Sequence, residues 1–168
     1  MKAEKFGKLL EEQIPRLRRY ARSLARDVIR ADDLVQDCLC RAIQKCDLFH
    51  PDTNLRAWLF TILHNQHINN LRKTARERAS ASVEDVTQVL ATRPNQLAWL
   101  EIRDVDRAFA ALSQEQRQVL RLVALEGLPY GEAANILDLP VGTVRSRLSR
   151  AREVLRERLK WEQPRAAA

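Results

Sequence analysis

Apolar residues recur along much of the chain with the period of about 3.6 residues that marks one face of an α-helix. The first predicted helix has Pro15 in its first turn, and its apolar stripe consists of Ile14, Leu17, Ala21, Leu24 and Val28. A second helix is predicted to begin at Asp32 and Asp33, because carboxylates are favoured at a helix amino terminus. Its apolar face consists of Leu34, Val35, Cys38, Leu39, Ala42, Ile43 and Cys46.

A loop separates the second predicted helix from a third. Residues 48–54 contain Pro51 and several side chains that favour turns, and Asp52, Thr53 or Asn54 is expected to cap the helix that begins at Leu55. The buried face of this third helix is predicted to consist of Leu55, Trp58, Leu59 and Ile62.

The third helix becomes polar from His64 onward. Its polar residues are weak helix formers, namely Asn65, Gln66, His67, Asn69 and Asn70. Asparagine and glutamine hydrogen-bond to base edges, and aromatic rings stack on unpaired bases, so the loop and helix are interpreted as a surface for single-stranded nucleic acid. A basic run follows directly and consists of Arg72, Lys73, Arg76 and Arg78.

The helical period weakens between residues 79 and 98, where serine, threonine and proline predict a linker. A helical pattern resumes from Trp99 to Leu112, and Ser113 with Gln116 forms a capping-box pattern for a helix that ends at Gly127. The sequence therefore predicts an all-α fold of two small helical domains, residues 1–78 and 99–168, joined by the flexible linker 79–98.

The stretch from Gly127 to Lys160 has the pattern of a helix-turn-helix. A short helix from Tyr130 to Leu137 is followed by the turn Asp138-Leu139-Pro140, and a second helix is predicted to begin near Gly142. Along the second helix one apolar face is predicted, consisting of Val144, Leu148, Ala151 and Leu155. The face that points away consists of Ser146, Ser149, Arg150 and Glu153, with Arg145 and Arg152 on one flank and Thr143 and Arg147 on the other.

Arginines and small serines on an outward helix face suit the major groove of duplex DNA. Arginine forks onto guanine or phosphate, and serine allows the helix to approach closely. The alternative interpretation is a solvated, salt-bridged helix with no DNA partner.

Composition agrees with an acidic partner. The 168 residues carry a formal net charge of +7, and no apolar run approaches the length of about 18 to 20 residues that crosses a bilayer. The amino-terminal residues lack a secretory apolar core, so a cytoplasmic protein without membrane insertion is expected.

The cysteines and histidines do not predict a metal or redox site. Cys38, Cys40 and Cys46 project in different directions from one helix, and they are interpreted as small reduced hydrophobes. His64 and His67 are one turn apart, but no acidic or thiol partner is apparent nearby. A glycine-rich phosphate loop and a nucleophile paired with a base are also lacking, so no enzyme activity, cofactor or small-molecule substrate is expected.

Three segments resemble bacterial extracytoplasmic-function sigma factors, the two-domain promoter-specificity subunits of RNA polymerase. ADDLVQDCLCRA (31–42) is similar to the family's core-binding helix, and NLRAWLFTILHNQHINNLRK (54–73) is similar to its minus-ten element. LSQEQRQVLRLVALEGLPYGEAANILDLPVGTVRSRLSRAREVL (112–155) is similar to its minus-thirty-five domain.

The resemblance implies a role for three sets of residues. Contacts with RNA polymerase core are implied for Asp33, Gln36, Asp37 and Arg41. Contacts with minus-ten DNA are implied for Phe49, His50, Asn54, Asn65, Asn69, Arg72 and Lys73. Contacts with the minus-thirty-five duplex are implied for Thr143, Arg145, Ser146, Arg147, Ser149 and Arg150.

FHPDTNLRAWLF and TRPNQ are most similar to the general-stress subgroup, which implies a small anti-sigma protein as a further partner. The alternative function is a free-standing DNA-binding regulator or a sigma-like decoy. For Phe49 the alternative is that its ring fills the core beneath the loop.

Overall fold

The computed structural model describes residues 3–25, 27–80, 105 and 107–159. Within them the chain forms α-helices and short 3-10 and π segments and no strand, which confirms the predicted all-α fold. The α-helices are α1 (Ala3–Ala25), α2 (Val28–Gln44), α3 (Leu55–Ser80), α4 (Gln114–Leu120), α5 (Tyr130–Leu137) and α6 (Val141–Leu159). The chain divides into two compact units, of which one contains α1, α2 and α3 and the other contains α4, α6 and most of α5.

The boundary between α1 and α2 differs from the prediction. Asp27 caps α2, because its Oδ1 accepts a hydrogen bond of 2.8 Å from the backbone N–H of Arg30. Val28 therefore begins α2 with 57% of its surface exposed, and its assignment to the first stripe was wrong. The first helix also begins earlier than predicted, so Pro15 lies in the interior of α1 rather than in its first turn.

The core of the amino-terminal unit lies where α2 packs against both α1 and α3. Leu34, Val35, Cys38 and Ala42 are buried as predicted, but Ile43 is 59% exposed and Cys46 is also exposed. A helix rotates by about 100° per residue, so Ile43 lies opposite Leu34 and cannot share its face. The prediction that Ile43 is a core residue was wrong for this reason.

A local side-chain cap fixes the start of helix α3, and tertiary packing keeps its polar second half helical. The side-chain oxygen of Asn54 accepts hydrogen bonds from the backbone N–H groups of Arg56 (3.1 Å) and Ala57 (3.3 Å), which confirms a cap before Leu55. The polar stretch from His64 does not interrupt the helix. His64, Gln66 and His67 are buried, so packing outweighs their weak helix propensity.

The carboxy-terminal unit confirms the predicted capping box. The backbone N–H of Gln116 donates to Ser113 Oγ at 3.2 Å, and the backbone N–H of Ser113 donates to Gln116 Oε1 at 2.8 Å. Helix α4 passes into a π-helical segment at Arg121–Leu125, which is followed by Gly127, whose φ of 65° favours glycine.

Helices α5 and α6 form the predicted helix-turn-helix. Asp138 ends α5 in the left-handed region with a φ of 52°, a conformation that aspartate tolerates better than most residues. Helix α6 begins at Val141, one residue before the predicted start.

The predicted linker 79–98 lies outside the described residues apart from 79–80 in α3, and of the predicted helix Trp99–Leu112 the structure describes residues 105 and 107–112. Of the helices that are described, none is both long and apolar enough to cross a membrane. Among the same residues, no three histidine, cysteine, aspartate or glutamate side chains gather as metal ligands.

Candidate nucleic-acid and polymerase interfaces

Helix α6 presents a polar outward face above a buried apolar one. Val144, Leu148 and Ala151 are buried in the carboxy-terminal unit, which fixes the rotation of the helix about its axis. The exposed residues on the other side include four of the predicted DNA contacts, Arg145, Ser146, Ser149 and Arg150. The structure therefore brings these four side chains to one accessible surface.

Two other predicted duplex contacts are less accessible. Thr143 is half-buried, and its backbone carbonyl accepts a hydrogen bond of 3.0 Å from Ser146 Oγ. Arg147 is also half-buried. A hydrogen bond from Ser113 is the largest cause of the lowered pKa of Glu115 on α4, and the nearby charge of Arg147 makes a smaller contribution in the same direction. Arg147 is therefore turned partly toward its own unit.

Tyr130 is a residue of this surface that the sequence pattern did not indicate. The guanidinium carbon of Arg145 lies 5.8 Å from the centre of the Tyr130 ring, which is within the range of a cation–π interaction. Tyr130 begins α5, and the contact crosses the turn of the helix-turn-helix. Helical periodicity within α6 could not reveal it.

The predicted polymerase contacts lie on the exposed side of α2. Asp33, Gln36, Asp37 and Arg41 are all exposed. Asp37 also has a local partner, because its Oδ2 accepts a hydrogen bond of 3.4 Å from Gln66 Nε2 on α3. Asp37 therefore has a structural contact in addition to any intermolecular one.

Two isoleucines lie on the same exposed side of α2, and we call this surface, with the four polar residues, the exposed strip of α2. Ile29 is 73% exposed and Ile43 is 59% exposed, and they share a helical spacing with Asp33, Gln36 and Cys40. Exposed large apolar side chains beside polar ones are common at protein–protein contacts. This apolar contribution was missed because the sequence pattern assigned Ile43 to the core.

Phe49 lies in an aromatic cluster rather than at the surface. Only 8% of its surface is exposed, and its ring centre lies 5.9 Å from that of Phe6 and 5.4 Å from that of Trp58. The ring is therefore not presented to an unpaired base in this conformation. The structure favours the alternative in which Phe49 fills the core beneath the loop.

The other predicted minus-ten residues fall into two groups. His50 is exposed in the loop, whereas the Asn54 side chain caps α3. The second group consists of exposed residues of α3, namely Asn65, Asn69, Arg72 and Lys73. Asn65, Asn69 and Arg72 follow one another at helical spacing, so they share one face of the helix.

Two family models match the chain in the order in which its two units occur. A model described as the Sigma2 domain of PhyR matches residues 10–64, and a model described as Sigma-70, region 4 matches residues 102–155. The ECF RNA polymerase sigma factor EcfG of Rhodopseudomonas palustris (strain TIE-1) is 44% identical over 142 residues, covering 84% of this chain and 78% of that relative. The chain belongs to the ECF family of RNA polymerase sigma factors.

Other relatives of this sigma factor agree. The ECF RNA polymerase sigma-E factor of Escherichia coli (strain K12) is 33% identical over 134 residues, covering 73% of this chain and 70% of that relative. The resemblance drawn from three sequence segments is thus confirmed. As an alternative sigma factor the protein directs RNA polymerase to promoters, and its family consists of DNA-binding initiation factors rather than enzymes.

Two solved structures are similar to this sigma factor over nearly its whole length. The sigma factor RpoE of Bartonella quintana, in complex with the anti-sigma factor NepR, is 39% identical with a TM-score of 0.76, covering 95% of this chain and 99% of that one. CnrH, in complex with the cytosolic domain of CnrY, is 31% identical with a TM-score of 0.63, covering 94% of this chain and 89% of that one.

Proposed function

We propose that three surfaces of this sigma factor have separate binding roles in transcription initiation. The exposed strip of α2 binds RNA polymerase core, the exposed face of α3 contacts unpaired minus-ten DNA and assists melting, and α6 contacts the minus-thirty-five duplex. The first two surfaces belong to residues 1–78 and the third to residues 99–168, with 79–98 as a linker.

The outward face of α6 is the observation that carries this proposal. Arg145, Ser146, Ser149 and Arg150 are exposed while Val144, Leu148 and Ala151 anchor the helix. A helix held in this way can enter a major groove, where arginine and serine reach phosphates and base edges. Thr143 and Arg147 then lie at the border of the contact, because both are half-buried.

The face of α3 supports the minus-ten assignment without Phe49. Asn65 and Asn69 offer amide groups that hydrogen-bond to base edges, and Arg72 and Lys73 add positive charge for the backbone. Lys73 forms an exposed pair with Glu77 at 3.8 Å, which is weak and leaves the amine accessible. His50 lies in the loop before this face and is exposed.

The strip of α2 supports the polymerase assignment. Asp33, Gln36, Asp37 and Arg41 provide polar contacts, and Ile29 and Ile43 provide apolar area. Such a mixture suits a protein–protein interface, in which the partner covers the apolar side chains and the polar side chains lie at the rim.

An anti-sigma protein of the general-stress type is the further partner that we propose, acting in the cytoplasm. RpoE of Bartonella quintana, which is 39% identical, is described in complex with the anti-sigma factor NepR. The most direct support is the similarity over 95% of this chain, which includes both of its units.

Run-off transcription with purified RNA polymerase core tests the proposal. The template is a library in which the minus-ten and minus-thirty-five elements are randomised, and transcripts are sequenced. We expect core with this sigma factor to produce transcripts whose templates share one minus-ten sequence and one minus-thirty-five sequence. Core alone should not produce these transcripts. A sigma-like decoy would instead bind an anti-sigma protein such as NepR and give no transcripts.

A further inference from the structure

A buried side-chain amide lies between α2 and α3, next to the exposed strip of α2. The amide belongs to Gln66 of α3, which has only 8% of its surface exposed. Its Nε2 lies 3.4 Å from Oδ2 of Asp37 on α2 and 3.4 Å from Oδ1 of Asn70, one turn further along α3. One amide therefore contacts both a residue of the strip and a residue of its own helix.

The orientation of this amide follows from the chemistry of its neighbours. An ionised carboxylate only accepts hydrogen bonds, so Asp37 can pair with Nε2 of Gln66 but not with its Oε1. The Nε2 group carries two N–H donors, and Oδ1 of Asn70 accepts a hydrogen bond from the same nitrogen. Asn70 thus restrains the Gln66 amide, and the amide in turn restrains the Asp37 carboxylate.

Gln66 is an unfavourable residue for the stability of the core. Within the described part of the chain, its Oε1 is buried and has no hydrogen-bond partner, which destabilises the folded state. Position 66 also continues the apolar stripe of α3, because Leu59 and Leu63 precede it at helical spacing and are fully buried. A methionine would fill this place without burying a polar atom. The glutamine therefore has a purpose other than stability.

The residue that benefits from this amide is Asp37. An exposed side chain samples several rotamers, and restricting it when a partner binds costs conformational entropy. A hydrogen bond from a buried donor restricts the Asp37 carboxylate before the partner arrives. At 3.4 Å the bond is longer than most protein hydrogen bonds, and a carboxylate has about four acceptor sites. Asp37 is therefore oriented while most of its acceptor sites stay available.

We propose that Gln66 is a positioning residue for the binding of RNA polymerase core. Its buried amide, restrained by Asn70, orients the Asp37 carboxylate toward a cationic or N–H donor group of core. The inference rests on the proposed contact of the exposed strip with core. Gln66 itself is covered by its own unit, so it acts on core through Asp37 and not by direct contact.

The first test measures the affinity of the full chain for purified polymerase core. Gln66→Met removes both hydrogen bonds of the amide and keeps an unbranched side chain of similar length. We expect about two- to tenfold weaker binding of core, the effect of losing one hydrogen bond. The thermal stability of the same variant should equal that of wild type or exceed it, because a buried oxygen without a partner is removed. A folding role would instead lower both quantities.

A double-mutant cycle shows whether Gln66 acts through Asp37. Asp37→Ala removes the carboxylate that the amide positions. Adding Gln66→Met to Asp37→Ala should change core binding little, because the positioned group is already absent. Losses that add in the double variant would contradict the proposal, since Gln66 would then influence core binding by another route.

Asn70 provides a second test at an exposed position, where a substitution does not disturb the core. Asn70→Ala removes the acceptor that restrains the amide, so core binding should weaken in the same direction as in Gln66→Met and by a smaller factor. This variant tests the proposal even if Gln66→Met does not fold.

Gln13→Met is the matched control. Gln13 is a half-buried glutamine of the same unit, and within the described residues its Oε1 is also buried without a hydrogen-bond partner. It belongs to α1, which contributes no residue to the exposed strip. The same chemical change should therefore leave the affinity for core unchanged.

Two results would overturn the positioning role. One is unchanged core affinity of Gln66→Met while Asp37→Ala binds core more weakly. The other is weaker core binding of Gln66→Met together with lower thermal stability, which would show that the amide supports the packing of α2 against α3. If Asp33→Lys and Asp37→Ala both bind core like wild type, the proposed polymerase surface itself fails, which is a different result.

Discussion

Tyr20 Oη and His64 Nδ1 lie 3.1 Å apart in the buried core between α1 and α3. Tyr20 also stacks on Phe60 of α3, with ring centres 4.9 Å apart. The contact satisfies a polar atom of His64 that would otherwise be buried without a partner, and such an atom costs stability. The histidines that sequence inspection considered as metal ligands are thus buried parts of the core.

This arrangement predicts that acid destabilises the amino-terminal unit. Burial, with a contribution from His67, lowers the pKa of His64 to about 4 from its ordinary value of 6.5. Below pH 6.5 His64 binds a proton in the unfolded chain but stays neutral in the folded chain. The contribution of His64 to the free energy of unfolding is therefore fully present above pH 6.5 and is lost as the pH falls toward 4. The loss from His64 should reach about 1.4 kcal/mol per pH unit.

Urea denaturation at pH 7, 6 and 5 measures this loss. His64→Gln should flatten the dependence of the free energy of unfolding on pH, whatever its effect at pH 7. His50→Gln, which changes an exposed histidine, should leave the slope as in wild type. Burial also lowers the pKa of His67, so a smaller slope of the same sign should remain in His64→Gln.

Charge reversal on α2 should separate polymerase binding from folding. Asp33→Lys places a positive charge on the exposed strip, and we expect at least about tenfold weaker binding of core, equivalent to about 1.4 kcal/mol. Glu12→Lys, on exposed α1 surface, is the control for net charge. Asp37 is less suitable for this experiment because it accepts the hydrogen bond from Gln66. Equal binding by both variants in a titration with purified core would reject the assignment of this strip.

The aromatic cluster predicts a structural role for Phe49. Phe49→Ala should lower the free energy of unfolding by about 3 to 5 kcal/mol, the usual cost of deleting a buried phenylalanine. Phe49→Leu should cost less, because much of the volume is kept. Denaturant titrations of both variants measure the difference. Unchanged stability combined with defective promoter opening would instead support capture of a base by the ring.

Features encoded by neighbouring residues were predictable from the sequence. Ser113 with Gln116, Asn54 before Leu55, and the turn at Asp138 each depend on contacts within a few residues. The face of α6 was also predictable, because one helix with a single apolar stripe has only one way to pack.

Features that depend on contacts between distant segments were not predictable in this way. The sequence around Phe49 does not reveal that Phe6 and Trp58 cover it. In α2 the apolar pattern was broader than one helical face and so included Ile43, and the packing of α2 against α1 and α3 determined which part of that pattern is buried. Tyr130 was missed for a related reason, since its contact with Arg145 joins two helices across a turn.

The outward face of α6 predicts that Arg150 reads a base. Arg150→Ala should weaken binding of a selected promoter by about 1 to 3 kcal/mol and relax the preference at one position of the minus-thirty-five element. Arg158→Ala should do neither. Holoenzyme titrations at fixed salt, with all four bases tested at each position, distinguish the two variants. A uniform loss across all bases would show that Arg150 contacts only the backbone.

The exposed face of α3 predicts that docking and opening of a promoter can be separated. Asn65→Ala and Asn69→Ala remove amide groups from exposed positions, so the buried face of α3 should be unaffected. A lost hydrogen bond to an unpaired base costs about 0.5 to 1.5 kcal/mol, which corresponds to roughly a two- to tenfold decrease in opening. Binding to a duplex that contains only the minus-thirty-five element should remain unchanged, because α6 belongs to the other unit.

Transcription from two templates decides whether these amides act in melting. One template is fully paired, and the other has a minus-ten bubble that is already open. If Asn65 and Asn69 stabilise the open strand only while it forms, the bubble should restore activity of both variants. If they also hold bases after opening, activity should stay low on both templates, which would contradict a role confined to melting. Thr74→Ala, a change on the exposed part of α3 just beyond these residues, is the control and should match wild type on both templates.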